Sequence, residues 1–344
     1  MPDEMRHLIL KLFARRIRNI NFDFSKTKTV IIRPKGNGIG DAVVLTAVCL
    51  QLKKAIKGIK IGVFSSERNK DIFLNNPVID KVIGNKFLSY LKNRGKWQVF
   101  MDFIPTFTSK NIVCDYILNP ECVICFEKNP KRHYTAQNVR NYDFYVKLKN
   151  QHLSTALKES PFAKYISFSD IRYILPDIKK EAEAMSSPWH KNKIRILFNP
   201  SGFDRNISKN DSLRIIKILT DTYHEKLDIL VLNNEQNRIL LKTENPHGWR
   251  FAPETDLKRM LGLCDSADLI ISVDTSVVHI ACALNKLLVG VYANCSENIK
   301  QFSPLNNGLS EIVVAEEEVT QSKHIKRLSV DKVITAAEKH INKM

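Results

Sequence analysis

Nowhere does the chain carry a run of roughly 18 apolar residues, the length a helix needs to cross a bilayer. Its opening, MPDEMRHLILKLFARR, is too charged, and too short in its apolar part, for a secretory signal. A cytoplasmic protein is expected. Paired metal spacing is missing too. Cys122 and Cys125 in ECVICFE form a CxxC, but no second one completes a zinc site, and their Val, Ile and Phe neighbours predict a buried strand. The seven cysteines are odd in number and sit mostly in apolar runs, as Cys49 and Cys282 do, which fits a reducing compartment. There is no HExxH, no GxSxG and no GxxxxGK[ST], so metal and nucleophile mechanisms are disfavoured. Acidic residues are scarce: 36 Asp and Glu face 53 Lys and Arg, a formal charge of +17. Such an excess attracts polyanions, whether nucleic acid, anionic membrane or phosphorylated substrates. No nucleic-acid motif accompanies it, and no nucleic-acid partner is expected.

What is present divides in two. At 344 residues the chain exceeds what one core usually serves. Residues 1–27 are a basic segment in which Leu8, Leu10, Leu12, Phe13, Ile17 and Ile20 share roughly one helical face, with Lys11, Arg15, Arg16 and Arg18 on the remainder. Such a helix either lies in a headgroup region or packs on the protein. Residues 28–180 then alternate strands (29–34, 59–64, 80–84, 97–103, 121–127) with helical segments, the pattern of a parallel sheet. Residues 181–193 are polar and carry Ser186, Ser187 and Pro188, the texture of a linker. From 194 to 344 the alternation restarts, with strands at 195–200, 226–234, 267–274 and 286–293 and a terminal helix. The expected fold is α/β, two Rossmann-like domains facing a central cleft, because open α/β sheets bind ligands at the carboxyl ends of their strands.

Three strand ends gather reactive side chains. KGNGIGD follows the first strand and opens a helix, a setting that favours an anion. Its GxGxG spacing does not match the dinucleotide fingerprint, which speaks against a dehydrogenase. Asp41 there is either a helix cap or a general base at the cleft. In SVDTSVVHIACAL, Asp274, Thr275, Ser276 and His279 stand at a strand end, as caps and a buried histidine or as sugar and phosphate contacts. In NPSGFDRNISK, Ser201, Gly202, Arg205 and Lys209 suit a diphosphate, since cations neutralise charge on a leaving group. Glu235, after Asn233 and Asn234, is placed to meet a ribose hydroxyl, and Arg132, His133 and Tyr134 form a basic cluster that would suit an acidic acceptor.

These segments resemble glycosyltransferase family 9, the lipopolysaccharide heptosyltransferases. VIIRPKGNGIGDAVVLTAVCLQLKKA (30–55) is similar to that family's opening strand and G-D turn, NPVIDKVIG (76–84) to its N-P-x-x-D segment, and SVDTSVVHIACAL (272–284) to its D-T-G-x-x-H block. The resemblance spans about residues 28–310 and implies a GT-B fold. It implies an inverting, metal-independent enzyme with no cofactor, whose donor substrate is ADP-heptose. The acceptor it implies is an anionic glycolipid of the Kdo-lipid A type or an inner-core heptose, at the inner face of the cytoplasmic membrane. Asp41 matches the family's base, Asp274 the residue holding the donor sugar, Thr275 and Ser276 the diphosphate turn, His279 the family histidine, and Arg205 approximates a phosphate-binding Lys. Arg33, Lys35, Gly40 and Arg132 are the expected acceptor contacts. Ser276 replaces the usual Gly, Arg205 the usual Lys, and residues 1–27 have no counterpart in many members. Transfer of another activated sugar, or a homologue that binds without turnover, are the alternatives.

Overall fold

The computed structural model describes residues 3–131, 133–148, 151–202, 205–242, 248–305, 308–320 and 325–344. It resolves into two compact units, Met1–Pro176 and Asp177–Met344. In the first, α1 (Asp3–Phe13) precedes β1 (Thr29–Arg33), α2 (Ile39–Ala55), β2 (Lys60–Ser65), α3 (Lys70–Phe73) and β3 (Lys81–Gly84). Then come α4 (Phe87–Lys92), β4 (Val99–Asp102), α5 (Ser109–Leu118), β5 (Cys122–Phe126) and β6 (Phe144–Val146). In the second, α6 (Lys179–Ala184) precedes β7 (Ile194–Asn199), α7 (Lys209–Tyr223), β8 (Leu227–Val231), α8 (Glu235–Leu240) and β9 (Arg250–Phe251). It continues with α9 (Leu257–Ser266), β10 (Leu269–Val273), α10 (Ser276–Ala283), β11 (Leu287–Asn294), α11 (Ser296–Phe302), β12 (Ser310–Glu318) and α12 (Val330–Ile341).

Both sheets are parallel and share one topology. The first runs β3-β2-β1-β4-β5-β6 and the second β12-β11-β10-β7-β8-β9. Counted within its own unit, each has the order 3-2-1-4-5-6, which reverses direction beside its first strand. The switch points therefore lie between β1 and β4 and between β7 and β10. The central strands read as unbroken apolar runs because helices cover both faces. β5 is buried along its whole length, Cys122 and Cys125 included, and burial pushes both thiols up. The three strands absent from the sequence reading, β6, β9 and β12, are all edges. There the apolar run is short or alternates with exposed residues, as in SEIVVAEEE.

α2 carries an unbroken buried stretch from Ala42 to Leu52. One side faces the sheet, and the chain after residue 150 covers another. Gln51 Nε2 donates to the Ser154 carbonyl at 2.7 Å, and Thr46 Oγ1 accepts from the Ile174 amide at 2.9 Å.

One segment differs from expectation, and a second takes one of the two courses left open for it. Residues 181–193 belong to the second unit rather than hanging between units. α6 lies so close on α9 that a Cβ on Gly262 would meet the Glu181 carbonyl oxygen at 2.4 Å. Trp189 Nε1 donates to Ser266 Oγ at 2.8 Å, and the His190 amide to Asp228 at 2.6 Å. Polar composition concealed these attachments, which rest on one aromatic and a few backbone donors. The N-terminal segment packs on the first unit. Ile9, Leu10 and Phe13 join its core, Ala14 is fully buried, and Arg16 pairs with Asp143 at 2.5 Å. Among the described residues no helix is long and apolar enough to cross a membrane.

Candidate functional site

In the first unit the switch-point crevice is built from the ends of β1 and β4. Gly38 is the N-cap of α2 and has no side chain to offer the free amides of the first turn. Asp41, three residues on, turns its carboxylate back over the loop. A Cβ on Gly36 or on Gly38 would stand 3.0 Å from Asp41 Oδ2, so both glycines make room for that oxygen. Gly40 lies in the same helical turn, and Lys35 is half-buried in the loop before it. Beside them a small cavity of about 30 Å³ is lined by Asn37, Ser65, Ser66, Asn69 and Asn85. The sequence reading did not single out these polar residues, because they come from three separate strand ends.

Arg33 corrects an expectation. It is not a surface contact for an acceptor: at 1% exposure it lies beneath the loop, clasping Asp102 through Nε (2.9 Å) and Nη2 (2.6 Å). Its Nη1 meets Asp115 at 2.7 Å, and the Phe100 ring lies 5.1 Å from the guanidinium carbon. Lys128, its side chain fully enclosed, pairs with Asp102 from the other side. Two cations and two carboxylates thus balance inside the core. Burial alone would raise the Asp102 carboxyl, but Arg33 and Lys128 outweigh it and hold it at about 2. Asp115 is raised, chiefly by its burial. A basic residue in a loop-facing strand end looks exposed in sequence; the acids that bury it lie 69 and 82 positions away. Arg132 lies outside the described residues. Its neighbour His133 meets Asp3 of α1 at 3.3 Å, and Tyr134 is buried against Ser109.

In the second unit the ends of β7, β8 and β10 converge. Arg205 Nη1 donates to the Asp274 carbonyl at 3.0 Å and lies 3.4 Å from its carboxylate. Asn298 of α11 donates to the same carboxylate at 2.6 Å. Asp274 is 3% exposed, so its orientation is set by these partners. Thr275 caps α10, accepting from the Val277 amide, and its hydroxyl also accepts from Asn199 Nδ2 at 3.1 Å. Ser276 opens the helix and is half-exposed, while Thr275 takes up the next two amides, Val277 through its hydroxyl and Val278 through its carbonyl at 3.2 Å. Glu235 is the exposed first residue of α8, one position past the Asn234 cap.

Two residues expected to touch a donor are buried. Ser201 is 1% exposed and gives its hydroxyl to Asn237 Oδ1 at 2.5 Å. Asn237 in turn donates to Asn199 at 3.0 Å, so Ser201 belongs to an amide network that ties β7 to α8. His279 is 3% exposed, its ring 6.1 Å from that of Phe302 of α11. Neither Asn298 nor the Asn199–Asn237 pair carried a sequence signal, since an isolated asparagine at a strand or helix end reads as a turn. Among the described residues no three His, Cys, Asp or Glu side chains converge as a metal site requires.

The loop after β7 touches the α10 cap so closely that a Cβ on Gly202 would stand 2.5 Å from Thr275 Cγ2. Gly202→Ala is therefore expected to cost roughly 1–3 kcal/mol of stability by overpacking. Thr275→Ser removes the obstructing methyl and keeps the capping hydroxyl. Thermal unfolding of both single variants and the double should show the serine recovering most of the loss. Purely additive losses would rule out the steric explanation.

The chain's similarities agree with this arrangement. Residues 230–331 match the model of glycosyltransferase family 9 (heptosyltransferase). Lipopolysaccharide heptosyltransferase 1 of Campylobacter coli is 25% identical over 333 residues, covering 87% of this chain and 92% of that protein. Among solved structures, a family 9 glycosyltransferase of Veillonella parvula superposes with a TM-score of 0.72 at 13% identity, over 92% of this chain and 98% of that one. ADP-heptose LPS heptosyltransferase II of E. coli gives 0.70 at 14%, over 92% and 99%. The E. coli heptosyltransferase WaaC with ADP gives 0.66 at 15%, over 91% and 99%. The chain thus has the GT-B fold of these glycosyltransferases. Over residues 230–331 the chain is similar to glycosyltransferase family 9, the heptosyltransferases, and along most of its length to the Campylobacter coli protein.

Proposed function

We propose that this enzyme transfers a heptose, with inversion and without a metal, from ADP-heptose to the inner core of a lipopolysaccharide or lipooligosaccharide. The observation that carries the reading is the Asp41 carboxylate, held at the β1–α2 turn over two glycines that leave space for it. A relative named lipopolysaccharide heptosyltransferase 1 and neighbours solved with ADP and with an ADP-2-deoxy-2-fluoro heptose support the choice of donor and pathway.

In the proposed reaction Asp41 accepts the proton of an acceptor hydroxyl as that oxygen attacks the anomeric carbon. The bond from that carbon to the diphosphate oxygen breaks, and ADP departs with the electron pair. Arg205 and the positive end of the α10 dipole offset the charge that develops on the diphosphate. Asp274, fixed by Arg205 and Asn298, holds sugar hydroxyls, and Glu235 meets the ribose. Lys35 and the polar lining of the small cavity meet the acceptor, a Kdo-bearing lipid A or an inner-core heptose. The charge of +17 fits an acceptor rich in phosphate and carboxylate. The reaction is assigned to the cytoplasmic face of the inner membrane.

The test is ADP release from ADP-heptose with and without Kdo-bearing lipid A. Release that requires the acceptor is expected. Donor binding without release would point to a different acceptor or a binding homologue. No donor binding would sink the choice of ADP-heptose and leave another activated sugar.

A further inference from the structure

We infer that the first unit seats on an anionic phospholipid bilayer through one patch, formed by the outer faces of α1 and α4 and by residues 17–20. The inference deepens the function proposed above and rests on its placement at a membrane. Among the described residues, eight of the thirteen exposed large hydrophobic side chains fall within 5–20 and 87–91. Scattered exposure needs no explanation, but concentration of this kind marks an interaction surface.

The patch is built rather than left over. α1 turns Ile9, Leu10 and Phe13 inward, and the Phe13 ring meets Tyr116 edge-on at 5.6 Å. That leaves Met5, Leu8 and Leu12, spaced i, i+3, i+7, as an outward stripe, each about half exposed. Beyond the helix the chain is pinned at alternate points. Arg16 holds Asp143 and the Pro120 carbonyl (2.8 Å), and the Asn19 amide donates to Asp143 at 2.5 Å. Between and after these anchors Ile17 stands 90% exposed and Ile20 62%. On α4, Phe87, Leu88 and Leu91 are likewise exposed while Tyr90 points into the core. Tyr90, Cys114 and Leu118 of α5, and the inner face of α1 share one core cluster with Phe64, Phe100 and Val123. Both helices pack against α5, so they form one layer on one side of the sheet.

Charge selects the occupant. Exposed Lys11, Arg15 and Arg18 are interleaved with the apolar residues of the first stretch, and exposed Lys86, Lys92 and Arg94 flank the second. The core of a protein interface is depleted of charge. Apolar side chains among cations instead suit the boundary of a bilayer, where the former enter the acyl region and the latter meet lipid phosphates.

The experiment is flotation of the full chain with phosphatidylcholine vesicles with and without phosphatidylglycerol, no donor or glycolipid acceptor being present. Binding is expected to need the anionic lipid. Lys11→Glu with Arg15→Glu should weaken it by about fivefold or more per cation. Leu8→Ser, Leu12→Ser and Ile17→Ser together should weaken it at least about tenfold. Their exposure means that the melting temperature should hold, which confirms that the variants are folded. The inference is overturned if native protein ignores anionic vesicles, if the serine variant still binds, or if the patch instead joins two copies in sedimentation. Vesicle binding without ADP release would leave it standing while the proposed reaction fails; ADP release from a soluble acceptor without vesicle binding would do the reverse.

Discussion

Asp41→Asn is expected to lower acceptor-dependent ADP release by a factor of about 10²–10⁴, the usual contribution of a positioned general base. The amide matches the carboxylate in shape but cannot take a proton. The turn should tolerate it, because both glycines already accommodate that oxygen. The donor contacts proposed here all come from the second unit. The KM for ADP-heptose should therefore stay near its native value while kcat collapses, the signature of an interaction made only in the transition state. Steady-state kinetics at saturating acceptor gives both numbers. A variant keeping more than about a tenth of the native kcat would remove Asp41 as the base.

The largest loss of stability is expected from Arg33→Met. Methionine fills much of the same volume but abandons two buried carboxylates to one lysine. Removing one member of a buried ion cluster typically costs roughly 3–5 kcal/mol, because the remaining charges stay desolvated and unpaired. For a unit of this size that is a fall of about 6–20 °C in melting temperature. The deficit should also depend on pH. In the native protein the Asp102 carboxyl sits at about 2, so its stabilisation is fully present above the usual carboxylate range and is lost only as pH falls toward that value. Without the guanidinium, burial and mutual repulsion raise the carboxyls instead. Stability is then retained below the unfolded-state pKa near 4 and lost as pH rises through the raised values. The gap between variant and native should be narrower near about pH 4.5 than near about pH 7.5, as thermal unfolding at the two values would show. An unchanging gap would mean that the cluster does not titrate as a unit. Because the cluster lies under the β1–α2 loop, the variant should also lose activity beyond its unfolded fraction, with Asp41 less firmly placed.

Much of this was legible without coordinates. Parallel strands buried on both faces have to be apolar throughout, so TVIIR, VFMD, CVICF, LDILV and LIISV announced the central strands of both sheets. A glycine-bearing turn between strand and helix is a local matter of backbone space, and it marked the Asp41 loop. The edges were not legible, because a two- or three-residue strand such as β9 or β6 carries no period. The grouping of Asp274, Thr275 and Ser276 was visible because they are neighbours in sequence. Their link to Arg205 was only suspected, from chemistry.

The class of fold, the two-part organisation and the positions of the candidate base and of the α10 turn could be read from the residues in order. Each of these follows from periodicity or from residues within one turn of each other. Tertiary structure alone decided which polar residues face a ligand and which are consumed inside. Arg33 reaches Asp102 across 69 positions, Ser201 reaches Asn237 across 36, and Arg16 reaches Asp143 across 127. A buried cation and an exposed one have the same letter. What separates them is whether a distant strand end brings a carboxylate within hydrogen-bond reach, and no local pattern records that.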